Sequence, residues 1–252
     1  MNSVSLVIPC YNESDRLHLL RKGLMDFDEI WPYDFEVIII NDGSQDNTSY
    51  LLQNLIQQSW KKAISMRVID LPTNNGKGFA LRLGVMEATL PYVLTLDADM
   101  AAKPDQLLAW RSIFENDKFP EDQILIGSRR HADTQLYAKW YRQLLGNAFN
   151  LVVRLFLSIS ILDTQCGFKL YPTHLAKLLF DPLKEIGWSH DIEILLRAKK
   201  NGIPVKELPV NWSHVSGEKI KIWRAGMEML TSIPRIRRSV SNEGPLHLIK
   251  PS

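Results

Sequence analysis

Two aspartates separated by one residue stand at the end of an apolar run. Asp97 and Asp99 follow YVLTL, residues 92–96, which has the composition of a buried strand. Because successive side chains of an extended chain point to opposite faces, the two carboxylates share a face and repel each other unless a positive group lies between them. A hard divalent cation such as Mg²⁺ or Mn²⁺ takes one or two carboxylates together with phosphate oxygens. The pair therefore indicates a metal–diphosphate site, although an isolated pair also serves as a strand end or a helix cap.

Three further polar clusters follow apolar runs in the first half of the chain. PCYNE follows residues 4–8, NDGSQD follows residues 35–40, and NNGKG follows residues 66–71. Amphipathic helical patterns separate these runs, and strands that alternate with helices predict an α/β fold whose mostly parallel sheet is covered on both faces. Ligands of such sheets bind at the carboxyl ends of the strands, so the clusters are expected to converge on one site.

Composition limits the class of protein. The chain has 252 residues, of which 45% are hydrophobic and 23% charged, and this is enough to bury the core of one large domain. The formal net charge of +2 gives no reason to expect nucleic acid as a partner. Cys10 and Cys166 stand in unrelated contexts, so we expect a reducing compartment without a disulfide framework. The chain enters its first strand at once, and polar residues interrupt the apolar stretch 144–162, so neither a signal peptide nor a spanning helix is predicted.

Two familiar nucleotide-binding motifs are excluded by the loop sequences. A dinucleotide-binding domain needs G-x-G-x-x-G after its first strand, where this chain has PCYNES. The NNGKGFA segment contains Gly76, Lys77 and Gly78 but lacks the spacing and the Ser or Thr of a P-loop. Lys77 is placed either to neutralise a phosphate or to remain a solvated lysine at the start of a helix.

Taken together, VSLVIPCYNE, VIIINDGSQDNT, NNGKGFALRLG and LTLDAD resemble the donor half of the inverting GT-A glycosyltransferases of family 2. The resemblance covers about residues 1–130. It implies the GT-A fold, with a Rossmann-like sheet, a nucleotide-sugar donor such as UDP-glucose or GDP-mannose, and Mg²⁺ or Mn²⁺ on Asp97 and Asp99. The residues that it implies for donor binding are Pro9, Tyr11, Glu13, Asp42, Lys77, Asp97, Ala98, Asp99 and, further along the chain, Lys219.

The second half, through IGSRR, WYRQLLGNAFNLVVRLF, DTQCGFKLY and VNWSHVSGEK, resembles the dolichyl-phosphate glucosyl- and mannosyltransferases of that family. This likeness extends to about residue 225 and implies transfer of a hexose, glucose before mannose, to a polyprenyl phosphate. Arg129 and Arg142 match the family's arginines for the acceptor phosphate. His214 stands where relatives often carry arginine, so its role is left open.

The chemistry of such an acceptor agrees with these arginines. A lipid phosphate is already ionised and needs no strong base, whereas a guanidinium offers it a bidentate fork. Asp163 and Gln165 share a face along DTQCGF and are expected at the acceptor side, near the sugar hydroxyls or the floor of the site, with a turn residue as the alternative for Asp163. Asp191 opens a helix, where its charge favours the helix dipole, and it is the candidate general base if the acceptor were a hydroxyl. The predicted catalytic residues are Asp97, Asp99, Arg129 and Asp191.

We interpret residues 1–252 as one domain, with a donor half (about 1–130), an acceptor half (about 131–225) and a basic amphipathic tail (about 220–240). The tail and a helix expected over about 136–157 mix aromatic and basic residues. We expect them to bind an anionic membrane surface, which makes the protein peripheral on a cytoplasmic face; packing into the core is the alternative.

Three other functions are compatible with parts of the pattern. Transfer to a hydroxyl of a lipid-linked glycan needs the same donor site. A catalytically inactive nucleotide-sugar-binding protein has no use for the acceptor arginines, and a nucleotidyltransferase needs a Gly-rich first loop that PCYNES does not supply. No oligomeric state is predicted.

Overall fold

A central sheet organises the chain. The computed structural model describes residues 2–129, 136–137, 160–213 and 222–246. The strands are β1 (Val4–Cys10), β2 (Phe35–Asn41), β3 (Ala63–Asp70), β4 (Tyr92–Thr95), β5 (Ile124–Ser128), β6 (Leu136–Tyr137), β7 (Lys169–Pro172), β8 (Val205–Pro209) and β9 (Trp212–Ser213). The helices are α1 (Leu17–Ile30), α2 (Thr48–Ile56), α3 (Lys77–Glu87), α4 (Leu107–Arg111), α5 (Thr173–Phe180), α6 (His190–Lys200) and α7 (Ile222–Asn242).

Seven strands form the main sheet in the order β3-β2-β1-β4-β7-β5-β8, while β6 and β9 form a separate pair. Strands β1 to β4 run parallel to their neighbours among themselves, as do β5 and β8, and β7 is antiparallel to both β4 and β5. The predicted mostly parallel α/β sheet is therefore confirmed. Because β7 is reversed, its first residue, Lys169, lies opposite Thr95 at the carboxyl end of β4.

The two faces of the sheet bury separate apolar clusters. Alternate residues of β1 divide between them, since Val7 packs on one face and Leu6 and Ile8 on the other. Helix α1 covers the face of Leu6, with Leu20 and Phe27 fully buried. The strands thus read as continuous apolar runs because both of their faces are covered.

Two predicted elements differ from the structure. The helix expected from about residue 136 begins instead as strand β6, and the rest of that segment lies outside the described residues, as do Arg142, His214 and Lys219. IPVKELPVNW, predicted as a single strand, divides into β8 and β9 of different sheets. The chain leaves the main sheet after Pro209, whose ring removes the N–H that a ladder needs.

Helix α7 corrects part of the predicted membrane surface. Ile233, Ile236 and Val240, in its second half, are buried against the core, so this apolar face is not available to a membrane. Arg235 donates to the carboxylate of Glu185 through Nε (2.8 Å) and Nη2 (2.9 Å). The apolar side chains predicted at the start of the tail lie outside the described part. Within the described part, no helix combines the length and the apolarity needed to cross a bilayer.

A buried cation ties α6 to the end of α7. Arg197 is fully buried and donates to Glu193 (2.5 Å) and to both carboxylate oxygens of Glu243 (2.9 Å each). It also donates to the carbonyl oxygens of Leu179 and Pro182, so every nitrogen of the guanidinium is engaged. Burial lowers the pKa of Arg197, but Glu243 and Glu193 more than offset this effect and hold the pKa above its ordinary value.

Replacing Arg197 tests how much this contact stabilises the fold. Arg197→Met leaves the buried Glu193 carboxylate without its cation, and breaking a buried pair in this way costs roughly 3 kcal/mol or more. We expect urea denaturation to show a loss of that size in the free energy of unfolding. Lys22→Met, at an exposed site on α1, is the matched control and is expected to change it by about 0.5 kcal/mol or less. Equal losses in the two variants would contradict the structural role of Arg197.

Candidate active site

One cavity gathers most of the predicted site residues. It has a volume of about 890 Å³, within the usual range for small-molecule sites, and lies where β1, β2 and β4 end. The predicted residues that line it are Pro9, Tyr11, Glu13, Asp42, Lys77, Asp97, Ala98, Asp99, Arg129, Gln165 and Asp191. Asp163 is not among them, and its place is given below.

The aspartate pair lies at the end of β4 between two basic side chains. Lys77 Nζ donates to Asp97 Oδ1 at 2.5 Å, and Arg16 Nη1 lies 4.0 Å from Asp99 Oδ2. Burial raises the pKa of Asp97, but the charge and hydrogen bond of Lys77, together with the charges of Lys169 and Arg129, outweigh it and hold the pKa below its ordinary value. Burial, with the charge of Asp97 next, raises the pKa of Asp99. The two carboxylates therefore repel each other, as their spacing in the sequence predicts.

These residues fit a divalent cation only together with another ligand. Among the residues that the structure describes, no cluster of three or more His, Cys, Asp or Glu side chains is placed to hold a metal ion. Asp97 and Asp99 provide hard oxygen ligands, and Mg²⁺ is commonly held by one or two carboxylates plus substrate phosphates. The raised pKa of Asp99 marks an electrostatic strain that a cation would relieve. The donor set thus fits a metal bound jointly with a diphosphate.

Glu13 is engaged within the protein by Arg16. Arg16 donates to Glu13 through Nε (2.7 Å) and Nη2 (2.5 Å), so both carboxylate oxygens have a partner. Burial raises the pKa of Glu13 in spite of this pair. The remaining nitrogen, Arg16 Nη1, is buried and has no hydrogen-bond partner among the residues that the structure describes. A substrate hydroxyl at Glu13 would therefore share the carboxylate with Arg16.

Asp42 organises the loop that leads into α3. Its carboxylate accepts from the backbone N–H groups of Asn75 and Gly76 (2.8 Å each) and from Asn74 Nδ2 (3.0 Å). Gly76 has φ of +102°, and a side chain there would overlap with the carbonyl of Ile186. The glycine of NNGKG is thus required by both backbone conformation and space. This loop sets the position from which Lys77 reaches Asp97.

Asp163, predicted at the acceptor side, contacts Arg129 and does not itself line the cavity. It is fully buried, and its carboxylate accepts from the Arg129 backbone N–H (3.0 Å), Nε (2.7 Å) and Nη2 (2.9 Å). The guanidinium carbon of Arg129 lies 5.6 Å from the ring centre of Trp212. Burial lowers the pKa of Arg129, but the charge and hydrogen bonds of Asp163, with further negative charge nearby, outweigh it and raise the pKa above its ordinary value. Arg129 therefore lines the cavity as a fixed cation.

Asp191 is held from below by a buried lysine. Lys169 Nζ donates to Asp191 Oδ1 at 2.7 Å, and His190 Nε2 lies 3.4 Å from the same oxygen. Burial raises the pKa of Asp191, but the charges of His190 and Lys169 outweigh it and hold the pKa below its ordinary value. Burial lowers the pKa of His190 itself. Asp191 thus lies in a cluster of ionisable groups with His190, Lys169 and Lys77.

Several cavity residues are absent from the sequence prediction. Among those outside the predicted polar clusters are Arg16, Ile186, Trp188, Trp212 and Glu228. Trp188 and Trp212 lie beside the two cations Lys77 and Arg129. Arg16, three residues after Glu13, offers a signal in its i,i+3 spacing to a predicted site carboxylate. The other positions carry no signal of this kind, because tertiary packing brings them to the cavity.

The sheet and the cavity at its carboxyl edge define a GT-A glycosyltransferase. A solved glucosyl-3-phosphoglycerate synthase from Mycobacterium tuberculosis, in complex with UDP, superposes with a TM-score of 0.64 at 16% identity, over 93% of this chain and 79% of that one. The same enzyme with Mn²⁺, UDP-glucose and glycerol 3-phosphate gives a TM-score of 0.62 at 16% identity, over the same shares of the two chains. At these identities the likeness is one of fold, and the predicted fold is confirmed.

Residues 5–180 match the model of glycosyl transferase family 2, and the chain belongs to that family. Dolichyl-phosphate beta-glucosyltransferase of Dictyostelium discoideum is 33% identical over 242 residues, covering 93% of this chain and 73% of that protein. The proteins of the same description from Homo sapiens (32%, covering 90% of this chain and 72% of the relative) and Saccharomyces cerevisiae (33%, covering 93% and 74%) are similar to it as well. The prediction of a hexosyltransferase is confirmed.

Gly167 allows the closest approach to Asp97 and provides a test of the site. A Cβ at Gly167 would overlap with the Asp97 carboxylate, and a terminal side-chain group can move where backbone cannot. We expect Gly167→Ala to displace that carboxylate and to reduce glycosyl transfer at least tenfold, a loss of about 1.4 kcal/mol in transition-state stabilisation. The melting temperature is expected to stay near that of the wild type. Gly244→Ala, where a Cβ meets nothing within 4 Å, is the control; equal activity of the two variants would contradict the assignment.

Proposed function

We propose that this protein transfers glucose from UDP-glucose to dolichyl phosphate or a related polyprenyl phosphate, with Mg²⁺ or Mn²⁺ and with inversion at the anomeric carbon. The observation that carries the proposal is a cavity with an aspartate pair, suited to a metal–diphosphate, and a fixed arginine, suited to an anionic acceptor. Relatives named dolichyl-phosphate beta-glucosyltransferase, at 33% identity over 93% of the chain, support the choice of sugar and acceptor. Solved complexes of the same fold with Mn²⁺ and UDP-glucose support the choice of donor and metal.

Asp97 and Asp99 are proposed to hold the cation at the donor diphosphate. When bound, the cation supplies Lewis-acid stabilisation of the negative charge on the departing diphosphate. Lys77 lies close enough to add a second positive charge on the same side, since its Nζ contacts Asp97. Gly167 and the N–H of Ala101, which donates to Asp99 at 3.0 Å, keep the two carboxylates in place before the substrate arrives. This is preorganisation, in which the site aims charge at the leaving group in advance.

Arg129 is proposed to bind the acceptor phosphate. Asp163 takes Nε and Nη2, which leaves Nη1 as the nitrogen without a hydrogen-bond partner in the described part of the chain. Trp212 lies beside the guanidinium, so the side chain is restrained from two sides. A phosphate oxygen held there needs no proton removed before it attacks the anomeric carbon in line with the diphosphate. Arg142 and Lys219 belong to this proposal as further acceptor and donor contacts.

The lowered pKa of Asp191 favours a phosphate acceptor over a hydroxyl acceptor. A general base works best when its pKa lies near the operating pH. The pKa of Asp191 is below its ordinary value, and Lys169 contacts the carboxylate at 2.7 Å. This carboxylate is thus a weak base, and we propose for it a structural and electrostatic role at the acceptor side. Transfer to a hydroxyl of a lipid-linked glycan remains as an outcome of the experiment below.

The protein is proposed to act at the cytoplasmic face of an anionic membrane, because the isoprenoid chain of the acceptor stays in the bilayer. Ile186, which is 53% exposed at the cavity wall, offers an apolar contact near the opening. Arg237 and Arg238 are exposed on α7, and basic residues near an anionic surface each contribute about 1 kcal/mol to binding. The buried half of α7 limits this surface to the polar side of the helix and to segments before it.

The proposed reaction is tested by one set of incubations. Purified protein is mixed with polyprenyl phosphate or, separately, with a hydroxyl-bearing glycolipid. Each mixture receives UDP-glucose, UDP-galactose or GDP-mannose, with Mn²⁺ or with EDTA, and the lipid products are analysed by mass spectrometry and NMR. We expect β-linked glucosyl phosphate lipid from UDP-glucose with Mn²⁺ and none with EDTA. Undiminished product in EDTA would refute the metal, and product only with a hydroxyl-bearing glycolipid would refute the phosphate acceptor.

Asp163→Asn tests the division between donor and acceptor sites. The amide keeps the size of the side chain but removes the charge that fixes Arg129, and a hydrogen bond to a charged group contributes about 1.5–3 kcal/mol. We expect the KM for polyprenyl phosphate to rise roughly tenfold, corresponding to about 1.4 kcal/mol. The Kd for UDP-glucose, measured by calorimetry, is expected to change by about twofold or less. If donor affinity falls as far as acceptor affinity, Arg129 belongs to the diphosphate contacts.

A further inference from the structure

Lys77 occupies an oxygen that the cation would need. Its Nζ lies 2.5 Å from Asp97 Oδ1, and the side chain is only 15% exposed. The same ammonium lies 5.1 Å from the centre of the Trp188 ring, a distance suited to a cation–π contact. Lys77 therefore has two resting contacts, one with a carboxylate and one with an aromatic face.

Both partners of this contact are fixed by the backbone around them. On the lysine side, Asp42 holds the preceding loop, and the N–H of Phe79 donates to the Ile186 carbonyl at 3.1 Å. Gly78 packs so tightly that a Cβ there would overlap with the backbone of Glu185. On the other side, Gly167 confines the carboxylate of Asp97. The ion pair is thus built into the first turn of α3.

The two basic side chains beside the aspartate pair differ in how closely they contact it. Lys77 contacts Asp97 directly, whereas Arg16 is committed to Glu13 and remains 4.0 Å from Asp99 without a hydrogen bond. A divalent cation that approached Asp97 alone would meet the ammonium within a few ångströms, and like charges at about 4 Å repel by several kcal/mol when partly buried. A cation that arrives with a diphosphate brings an anion to which the ammonium can turn.

We propose that Lys77 is an exchangeable counter-ion of Asp97, which opposes cation binding at the aspartate pair until the donor diphosphate binds. With the donor present, the ammonium would turn from Asp97 to the diphosphate, and the freed Asp97 carboxylate would then be available to hold the cation. Binding of metal and donor is then positively coupled, and the coupling is the same in both directions. This inference rests on the proposed metal-dependent function and adds the order in which its parts assemble.

The test measures metal binding and not turnover. Mn²⁺ affinity is determined by electron paramagnetic resonance of the free ion, with and without UDP, at constant ionic strength. The variants are Lys77→Met, the more conservative Lys77→Gln, Asp97→Asn/Asp99→Asn and the control Arg82→Met. Arg82 lies on the same helix, is partly exposed and pairs only at 3.8 Å with Asp181, so its removal matches the loss of one positive charge. Melting temperatures of all variants establish that they are folded.

We expect the wild type to bind Mn²⁺ weakly alone and roughly tenfold more tightly with UDP, within the usual range of coupling between sites. Lys77→Met and Lys77→Gln are expected to bind Mn²⁺ without UDP roughly tenfold more tightly than the wild type, with the effect of UDP reduced by the same factor. Arg82→Met is expected to resemble the wild type, and the double aspartate variant to bind no Mn²⁺ in either condition.

Three results would overturn the inference, and they separate it from the proposed function. In one such result, the wild type and both Lys77 variants bind Mn²⁺ equally tightly without UDP, while the double aspartate variant binds none. That result would contradict the role of Lys77 and leave the metal site intact. Mn²⁺ binding that is unaffected by the double aspartate replacement, or absent from the wild type even with UDP, would overturn the metal site and the inference together. If Arg82→Met also binds Mn²⁺ more tightly than the wild type, the gain reflects the general loss of a positive charge. This result would also contradict the role of Lys77.

Discussion

The repulsion between Asp97 and Asp99 is the constraint on which the site depends. Two carboxylates at the end of a buried strand repel each other unless positive charge lies nearby. The surrounding chain supplies basic side chains from several directions. Lys77 comes from the start of α3, Arg16 from the turn before α1, and Lys169 from the first residue of β7. Each of these cations is itself fixed by a glycine, a carboxylate or a carbonyl. Much of the polar architecture at this edge of the sheet is thus charge compensation arranged around one pair of residues.

A second layer of pairing lies behind the cavity wall. Glu207 on β8 accepts from the backbone N–H groups of Leu162 and Asp163, and Asp163 in turn holds Arg129. The side chain that faces the cavity is therefore positioned through the buried carboxylate of Asp163 and the partly buried carboxylate of Glu207, neither of which lines the cavity. Such chains of contacts restrict the orientation of a long, flexible side chain, which favours recognition of an anion at a defined place over simple attraction. The fully buried Asp163 carboxylate thus serves to fix the position of the Arg129 side chain.

The sequence predicted the parts of this arrangement that depend on local pattern. Apolar runs followed by polar clusters located the strands and the edge at which Tyr11, Asp42, Lys77 and Asp97 meet, since parallel strands end together. It did not predict the pairing of Arg129 with Asp163, because 34 residues separate them and nothing local marks the contact. The same limit applies to α7. An amphipathic pattern indicates that one face of a helix is apolar, but it does not indicate whether protein or lipid covers that face.

The strand order carries a consequence for how the donor and acceptor halves relate. Strand β7, from the second half of the chain, lies between β4 and β5, which both belong to the first half. A cut after β5 would leave a sheet with one strand missing from its interior, so the halves are not interchangeable modules. New acceptor preferences in this fold are therefore expected to arise by substitution and loop change within an intact sheet. If recombination joined the first half of one enzyme to the second half of another, β7 would have to pair with a β4 and a β5 that both come from the other enzyme.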